Sequence, residues 1–447
     1  MVSNRGWFYV FSSLLILGVV ALGYFIPRIS FYSVLILFTG LFILYLAVYQ
    51  YAGSFQSLKH FLWLAVILRL VLLFSLPQWS DDYVRFVWDG QLLLEGHNPY
   101  VFTPTEALGQ LNLQSREFLD QLYPRLNSPN YHSVYPPSNQ LVFGLAASLA
   151  GENLLYAVMV IRLVLIAFEV LAFYLIYHLL VLLNRPVKKV LLYALNPLVI
   201  LEISGNLHFE GLMLTLMMGG IYVLFKKKYM LSGVLLGAAV GVKLSPLMLV
   251  PAFMKWLPRQ GLVPFLSGGT IMGILGLAPL LWEDAFIGFW TSLRLYGESF
   301  EFNASVYYIL RQLGYWTNGY NMIGFFNPIL GGLTLVLIIW LSLKVRKEQI
   351  GSLIQSLLCL YWVYFILNAV VHPWYIIPAL AISVFTEKKA FLIWSFFIFL
   401  SYHAYQTTGY KELAWILSLE YLAVFLALYR DYGSRIKKLK KFPRSLR

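Results

Sequence analysis

The feature that most limits what this chain can fold into is the recurrence of long, continuously apolar runs, at 7–26, 30–51, 61–77, 155–183, 207–225, 262–282, 325–343, 351–370 and 412–429. A helix that crosses a bilayer needs roughly 20 such residues. Shorter apolar runs at 138–150, 188–204, 230–241, 244–254, 373–386 and 390–404 read as short spans, re-entrant pieces or interfacial helices. Of the 447 residues, 60% are hydrophobic and 12% charged, more apolar matter than a water-soluble core of this size requires. Lipid admits only helices and closed barrels, and runs that are apolar throughout rather than alternating are helical. The expected fold is therefore all-α: a polytopic transmembrane bundle of about 12–14 spans, short and broken helices included.

The first run lacks a small-residue cleavage site and reads as a retained signal anchor. A single cysteine, Cys359, excludes an internal disulfide and a cysteine-cluster metal site. A net charge of +13 would suit a nucleic-acid partner, but the basic residues gather at the ends of apolar runs: Arg185, Lys188 and Lys189; Lys226 to Lys228; Lys255 and Arg259; Lys344, Arg346 and Lys347; Lys388 and Lys389; and the tail from Arg435 to Arg447. That is the positive-inside pattern of a membrane protein, so no nucleic-acid partner is expected. With those clusters in the cytoplasm, 78–154, 205–211, 283–324, 371–373 and 405–411 share the outer face, provided 230–254 is a pair of short helices broken near Gly241 and Pro246. Neither repeat nor soluble domain is visible. Residues 1–430 read as one membrane domain, and 431–447 as a basic cytoplasmic tail suited to anionic lipid.

The outer loop 78–137 holds seven of the chain's twenty carboxylates. It begins Ser80-Asp81-Asp82-Tyr83-Val84-Arg85-Phe86-Val87-Trp88-Asp89-Gly90 and continues through Glu95-Gly96-His97-Asn98-Pro99-Tyr100. As an interfacial helix over 82–94, it sets Asp82, Arg85 and Asp89 on one face, where Arg85 can pair with either acid and all three face a polar cavity. Gly96 suits a left-handed cap and Pro99 cannot continue the helix. An end cap with a surface ion pair would explain the same residues.

The string Asp82-x-x-Arg85-Phe86-x-Trp88-Asp89-Gly90, then Gly96-x-Asn98-Pro99-Tyr100, then Tyr135-Pro136-Pro137, resembles the first-loop signature of GT-C membrane glycosyltransferases. It is most similar to that of bacterial polyprenol-phosphate-mannose-dependent mannosyltransferases. The resemblance extends from about residue 60 to residue 376, specific in the first loop and loose elsewhere. It implies a many-helix membrane enzyme in the bacterial plasma membrane with an extracytoplasmic site. It also implies a catalytic Asp three residues before Arg, which selects Asp82, with Asp81 beside it.

Other polar residues stand at membrane depth, where ionisable groups are costly and mark function. His208 and Glu210 follow Asn196-Pro197 and resemble the His or acid found there in these transferases, although Gly-Asn-Leu-His-Phe-Glu-Gly departs from the commoner spelling. Lys243 lies between two half-helices, placed to neutralise a lipid phosphate or to snorkel to the interface. His372, Trp374 and Tyr375 resemble an element that faces donor phosphate or sugar, but aromatic residues also belt every membrane interface. Arg294 is a further candidate for phosphate contact. Arg69, Arg162 and Glu169, inside apolar runs, read as an interhelical ion pair.

These residues suit transfer of a sugar, mannose first, from a polyprenol-phosphate donor to a hydroxyl of a lipid or glycan acceptor, with Asp82 as general base and inversion at the anomeric carbon. Glucose, galactose and an amino-arabinose type sugar remain open. Two adjacent acids could also hold a divalent cation; no other cofactor is expected. The rival readings are a secondary transporter, which should show inverted repeats, and a cell-envelope lipid flippase or polymerase, which should lack the acidic first loop.

Overall fold

In the computed structural model the described residues are 4–52, 57–282, 284–407 and 409–439. Residues 440–447 of the basic tail lie outside them. The described chain is helical, and its one β-bridge joins Phe302 to Val370. Among the described residues six helices are long and apolar enough to cross a membrane: Gly6–Tyr24, Phe31–Tyr51, Leu154–Leu182, Arg259–Leu281, Ile323–Leu343 and Ile350–Leu367. The pair Pro197–Gly205 and Glu210–Phe225 passes the same test together but is bent by 113° at its break, the form of a broken span or a re-entrant loop. Other apolar runs become shorter helices such as Tyr229–Val242 and Pro373–Ser383, while 412–429 lies in the 26-residue helix Ala414–Leu439. Lipid-facing side chains such as Ile36, Trp63 and Val336 stay exposed while Val34, Phe38 and Leu357 are buried between helices, as expected where lipid is the solvent.

Small residues allow the helices to approach closely. The Asp82–Leu94 helix crosses Pro137–Ala150 at Gly90, where an added Cβ would collide with the carbonyl of Phe143. Tyr229–Val242 packs on Arg259–Leu277 through Gly233, against the backbone of Phe265. The expected break after Val242 is present: a 3-10 turn over Ser245–Leu249 leads into a second short helix, Val250–Trp256.

Buried charges tie the spans together. Arg69 makes a two-pronged pair with Glu169 at 2.7 and 3.0 Å, and both side chains are fully buried. Arg162, also fully buried, is not part of an ion pair. Its guanidinium instead donates to four carbonyls, Ser204 at 2.6 Å, Ser75 at 2.7 Å, Leu73 at 2.9 Å and Gly205 at 3.1 Å. It thereby joins the segment leading into Asp81 to the π-helical turn Ile200–Gly205 that leads into His208, and satisfies carbonyls that a π-turn and a helix end leave without partners.

The basic clusters lie together at one end of the bundle. Lys189 pairs with Glu387 at 2.7 Å, Lys188 lies over Tyr49, and the amide of Glu348 donates to the carbonyl of Trp256. Asp82, Glu210, Lys243 and His372 are gathered at the other end.

Candidate active site

Two segments bring Asp82 to its place. The Asp82–Leu94 helix starts with it, so the carboxylate sits at the positive end of the helix dipole. The stretch 127–135 is folded over that helix by a buried network. Arg85 donates to Asp89 at 2.6 Å and to the Tyr131 carbonyl at 2.8 Å, and Asp89 accepts from Ser133 at 2.6 Å and from Gln140 at 2.9 Å. The result is that Asn127 donates to Oδ1 of Asp82 at 3.1 Å. Asp81 turns the other way, onto Arg28, whose guanidinium also lies over the ring of Tyr405 at 4.7 Å.

The opposite wall comes from three distant segments. At the break of the bent pair, Leu207 takes a left-handed φ of 65°, a conformation rare for a branched residue and held here by its buried surroundings. It turns His208 inward and starts the helix Glu210–Phe225 at Glu210. Glu210 is bound by Lys243, whose ammonium also lies over Tyr375 at 4.1 Å. The rings of Phe302, His372, Trp374 and His208 form a stack, with centroid separations of 4.7 Å, 4.4 Å and 3.6 Å in turn. Among the described residues Nε2 of His208 has no hydrogen-bond partner; it stands 3.4 Å from Glu202, which accepts from Tyr402 at 2.6 Å. The Phe302–Val370 bridge fixes the segment that lays Phe302 on His372.

Electrostatics follow from this enclosure. Burial pushes the Asp82 carboxyl above its ordinary value, the Asn127 hydrogen bond draws it back, Asp81 raises it, and Lys243 and Arg28 lower it. The charges on the far wall thus act on Asp82. Burial, with the nearby Lys243 charge, depresses His372 to about 3, so its imidazole is neutral at physiological pH and acts by hydrogen bonding and stacking.

The structure holds Asp82, His208, Glu210, Lys243, His372, Trp374 and Tyr375 within contact or electrostatic reach of one another at one end of the bundle, with Asp81 beside them turned onto Arg28. It does not bring the others there. Arg85 and Asp89 do not face a polar cavity: their side chains are 3% and 0% exposed and spend their hydrogen bonds on the loop. Trp88 is fully buried behind them. Asn98 holds the amide of Tyr100 at 3.0 Å, and the Tyr100 hydroxyl donates to the carbonyl of Tyr135 at 2.5 Å, so both brace the loop. Arg294 is exposed on the helix Ala285–Ser299, paired with Glu298 one turn on at 2.7 Å. Trp374 does not offer open faces to a sugar, because two imidazoles stack on it. Among the described residues no group of three or more His, Cys, Asp or Glu could hold a metal ion.

Two residues of this site escaped the sequence reading. Arg28 sits between the first two apolar runs, where a lone cation suggests only an interface anchor. Asn127 lies in a polar stretch without a motif, whereas Glu202 stands out in the sequence as an acid in an apolar run beside His208 and Glu210.

Residues 5–259 match the family described as alpha-(1->6)-mannopyranosyltransferase, N-terminal domain. The alpha-(1->6)-mannopyranosyltransferase A of Mycobacterium tuberculosis is 28% identical over 223 residues, covering 48% of this chain and 41% of that protein. The enzyme of the same name from Corynebacterium glutamicum is 22% identical over 198 residues, covering 44% of this chain and 38% of that one. The chain therefore spans about two fifths of the curated relatives it matches. No solved structure matches it. The family match runs over more than half of the chain and includes Arg28, Asp81, Asp82, Asn127, His208, Glu210 and Lys243, so this protein belongs to the alpha-(1->6)-mannopyranosyltransferase family.

Proposed function

We propose that this protein transfers mannose from a polyprenol-phosphate donor to an acceptor hydroxyl at the extracytoplasmic face of a bacterial plasma membrane, leaving an α-(1→6) linkage. The observation that carries this reading is that a half-buried carboxylate, Asp82, lies within electrostatic reach of a cation, Lys243, at the end of the bundle opposite the basic clusters. Family membership supports the mannose and the linkage.

In this reading Asp82 takes the proton of the acceptor hydroxyl as its oxygen attacks the anomeric carbon. The bond from that carbon to the phosphate oxygen breaks, and the lipid phosphate leaves with the electron pair. General-base assistance of this kind contributes roughly 10²–10⁴ in rate. Direct displacement inverts the centre, so a β-linked donor gives an α-mannoside. Lys243 is placed for the departing phosphate, exchanging part of its contact with Glu210 for the new charge. Neutral His372 donates or accepts a hydrogen bond there. Beside the Glu210–Lys243 pair, Met213, Tyr361, Tyr364 and Phe365 line a small pocket. Asp81 is held by Arg28 and Asp82 by Asn127.

The donor class is tested with full-length protein in proteoliposomes, given either polyprenol-phosphate mannose or a nucleotide-linked mannose together with an α-mannoside acceptor. Transfer from the lipid donor alone is expected. Transfer from the nucleotide sugar alone would overturn the donor assignment.

A further inference from the structure

The end of the bundle opposite Asp82 has an opening of its own. A cavity of about 1010 Å³ lies between the C-terminal end of Leu154–Leu182, the N-terminal end of Ile350–Leu367 and the 385–388 turn. Ile350–Leu367 has 18 residues and reaches from this cavity toward His372, a rise of about 27 Å at 1.5 Å per residue. That is close to the thickness of the hydrocarbon core, about 30 Å, so the cavity sits at the opposite headgroup layer.

Its lining is one-sided in charge. Arg185, Lys344, Arg346 and Lys388 face one carboxylate, Glu387. Glu387 already accepts from Lys189 at 2.7 Å and from Arg185 at 3.5 Å. Among the described residues, Lys344 and Arg346 have no carboxylate within ion-pair distance; Lys344 lies instead over the ring of Trp340 at 3.0 Å. Hydroxyls of Ser352 and Ser356 stand in the same lining. Beside the cations the lining includes the partly exposed apolar side chains of Leu182, Leu183 and Ile350, backed by the buried Ile354, Leu358 and Phe385. Clustered cations at the mouth, hydroxyl donors beside them and an apolar wall at the depth where acyl chains begin fit one ligand chemistry, a phosphodiester carried on an apolar tail.

We propose that this cavity is a binding site for an anionic glycerophospholipid, with Lys344 and Arg346 on its phosphate and its acyl chains against Leu182, Leu183 and Ile350. The apolar wall and the depth favour a lipid over free phosphate, which would use only the cations. The site lies a membrane's thickness from Asp82 and is independent of the donor proposed above.

The test is native mass spectrometry of the full-length protein in mild detergent, titrated separately with dioleoylphosphatidylglycerol, dioleoylphosphatidylcholine and inorganic phosphate. Saturable binding of the phosphatidylglycerol, and weak binding of the zwitterionic lipid, is expected. The pair Lys344→Ala and Arg346→Ala removes two exposed side chains and should weaken that binding about tenfold or more, at roughly 1 kcal/mol per cation near an anionic lipid. Lys226→Ala with Lys227→Ala, on exposed lysines outside the cavity, should leave it unchanged. Equal binding of both lipids, equal weakening by the two double variants, or inorganic phosphate displacing the lipid at equal concentration would each overturn the proposal.

Discussion

The side-chain amide of Asn127 donates to the carboxylate of Asp82 at 3.1 Å from a stretch of loop 45 residues further along the chain. This bond opposes the burial that raises Asp82, as do the charges of Lys243 and Arg28. A general base works in its ionised form, so the rate falls as the pH drops through its pKa. The acid limb of kcat/KM for the wild-type protein should therefore lie above the ordinary carboxylate range near 4. Asn127→Ala removes a stabilising bond to the ionised form and should move the limb to higher pH with little change on the plateau. A pH–rate profile that moves down, or stays in place while the plateau collapses, would remove Asn127 from this role.

The stack of His208, Trp374 and His372 makes a second prediction. Replacing Trp374 by Ala leaves both imidazoles without the ring that orients them, and kcat should fall about tenfold or more, whereas Trp374→Phe should retain most of it, since stacked aromatic pairs contribute roughly 0.5–1.5 kcal/mol each. Steady-state kinetics with both variants checks this; equal activity of the Ala and Phe variants would count against a positioning stack.

Arg69 and Glu169 predict a non-additive stability series. Removing one partner strands a buried charge: Arg69→Met or Glu169→Leu alone should cost about 3–5 kcal/mol, while the double variant should recover much of the loss. Thermal unfolding in a fixed detergent measures it, and additive losses would show that the pair does not act as a unit.

Much of the fold is legible in the sequence because membrane helices are local objects. The helix Asp82–Leu94, the left-handed Gly96 at a φ of 80° and the break after Val242 each follow from neighbouring residues. The site is legible only where a residue announces itself by being polar in apolar company, as His208, Glu210 and Lys243 do. What stays hidden depends on which segments meet. Arg162 has the same local context as Arg69, yet Arg69 meets a carboxylate and Arg162 meets four carbonyls. Arg85 and Asp89 carry the specific part of the first-loop pattern, and the stretch 127–135 folding over them makes them the loop's interior rather than a cavity wall.

The central claim is that Asp82 removes the acceptor proton, and Asp82→Asn tests it most directly because the amide matches the carboxylate in shape and cannot act as a base. In proteoliposomes supplied with radiolabelled polyprenol-phosphate mannose and an α-mannoside acceptor, the variant should unfold at the wild-type temperature, retain donor binding and lose transfer by about 10² or more. Wild-type transfer by a correctly folded Asp82→Asn variant would contradict the account.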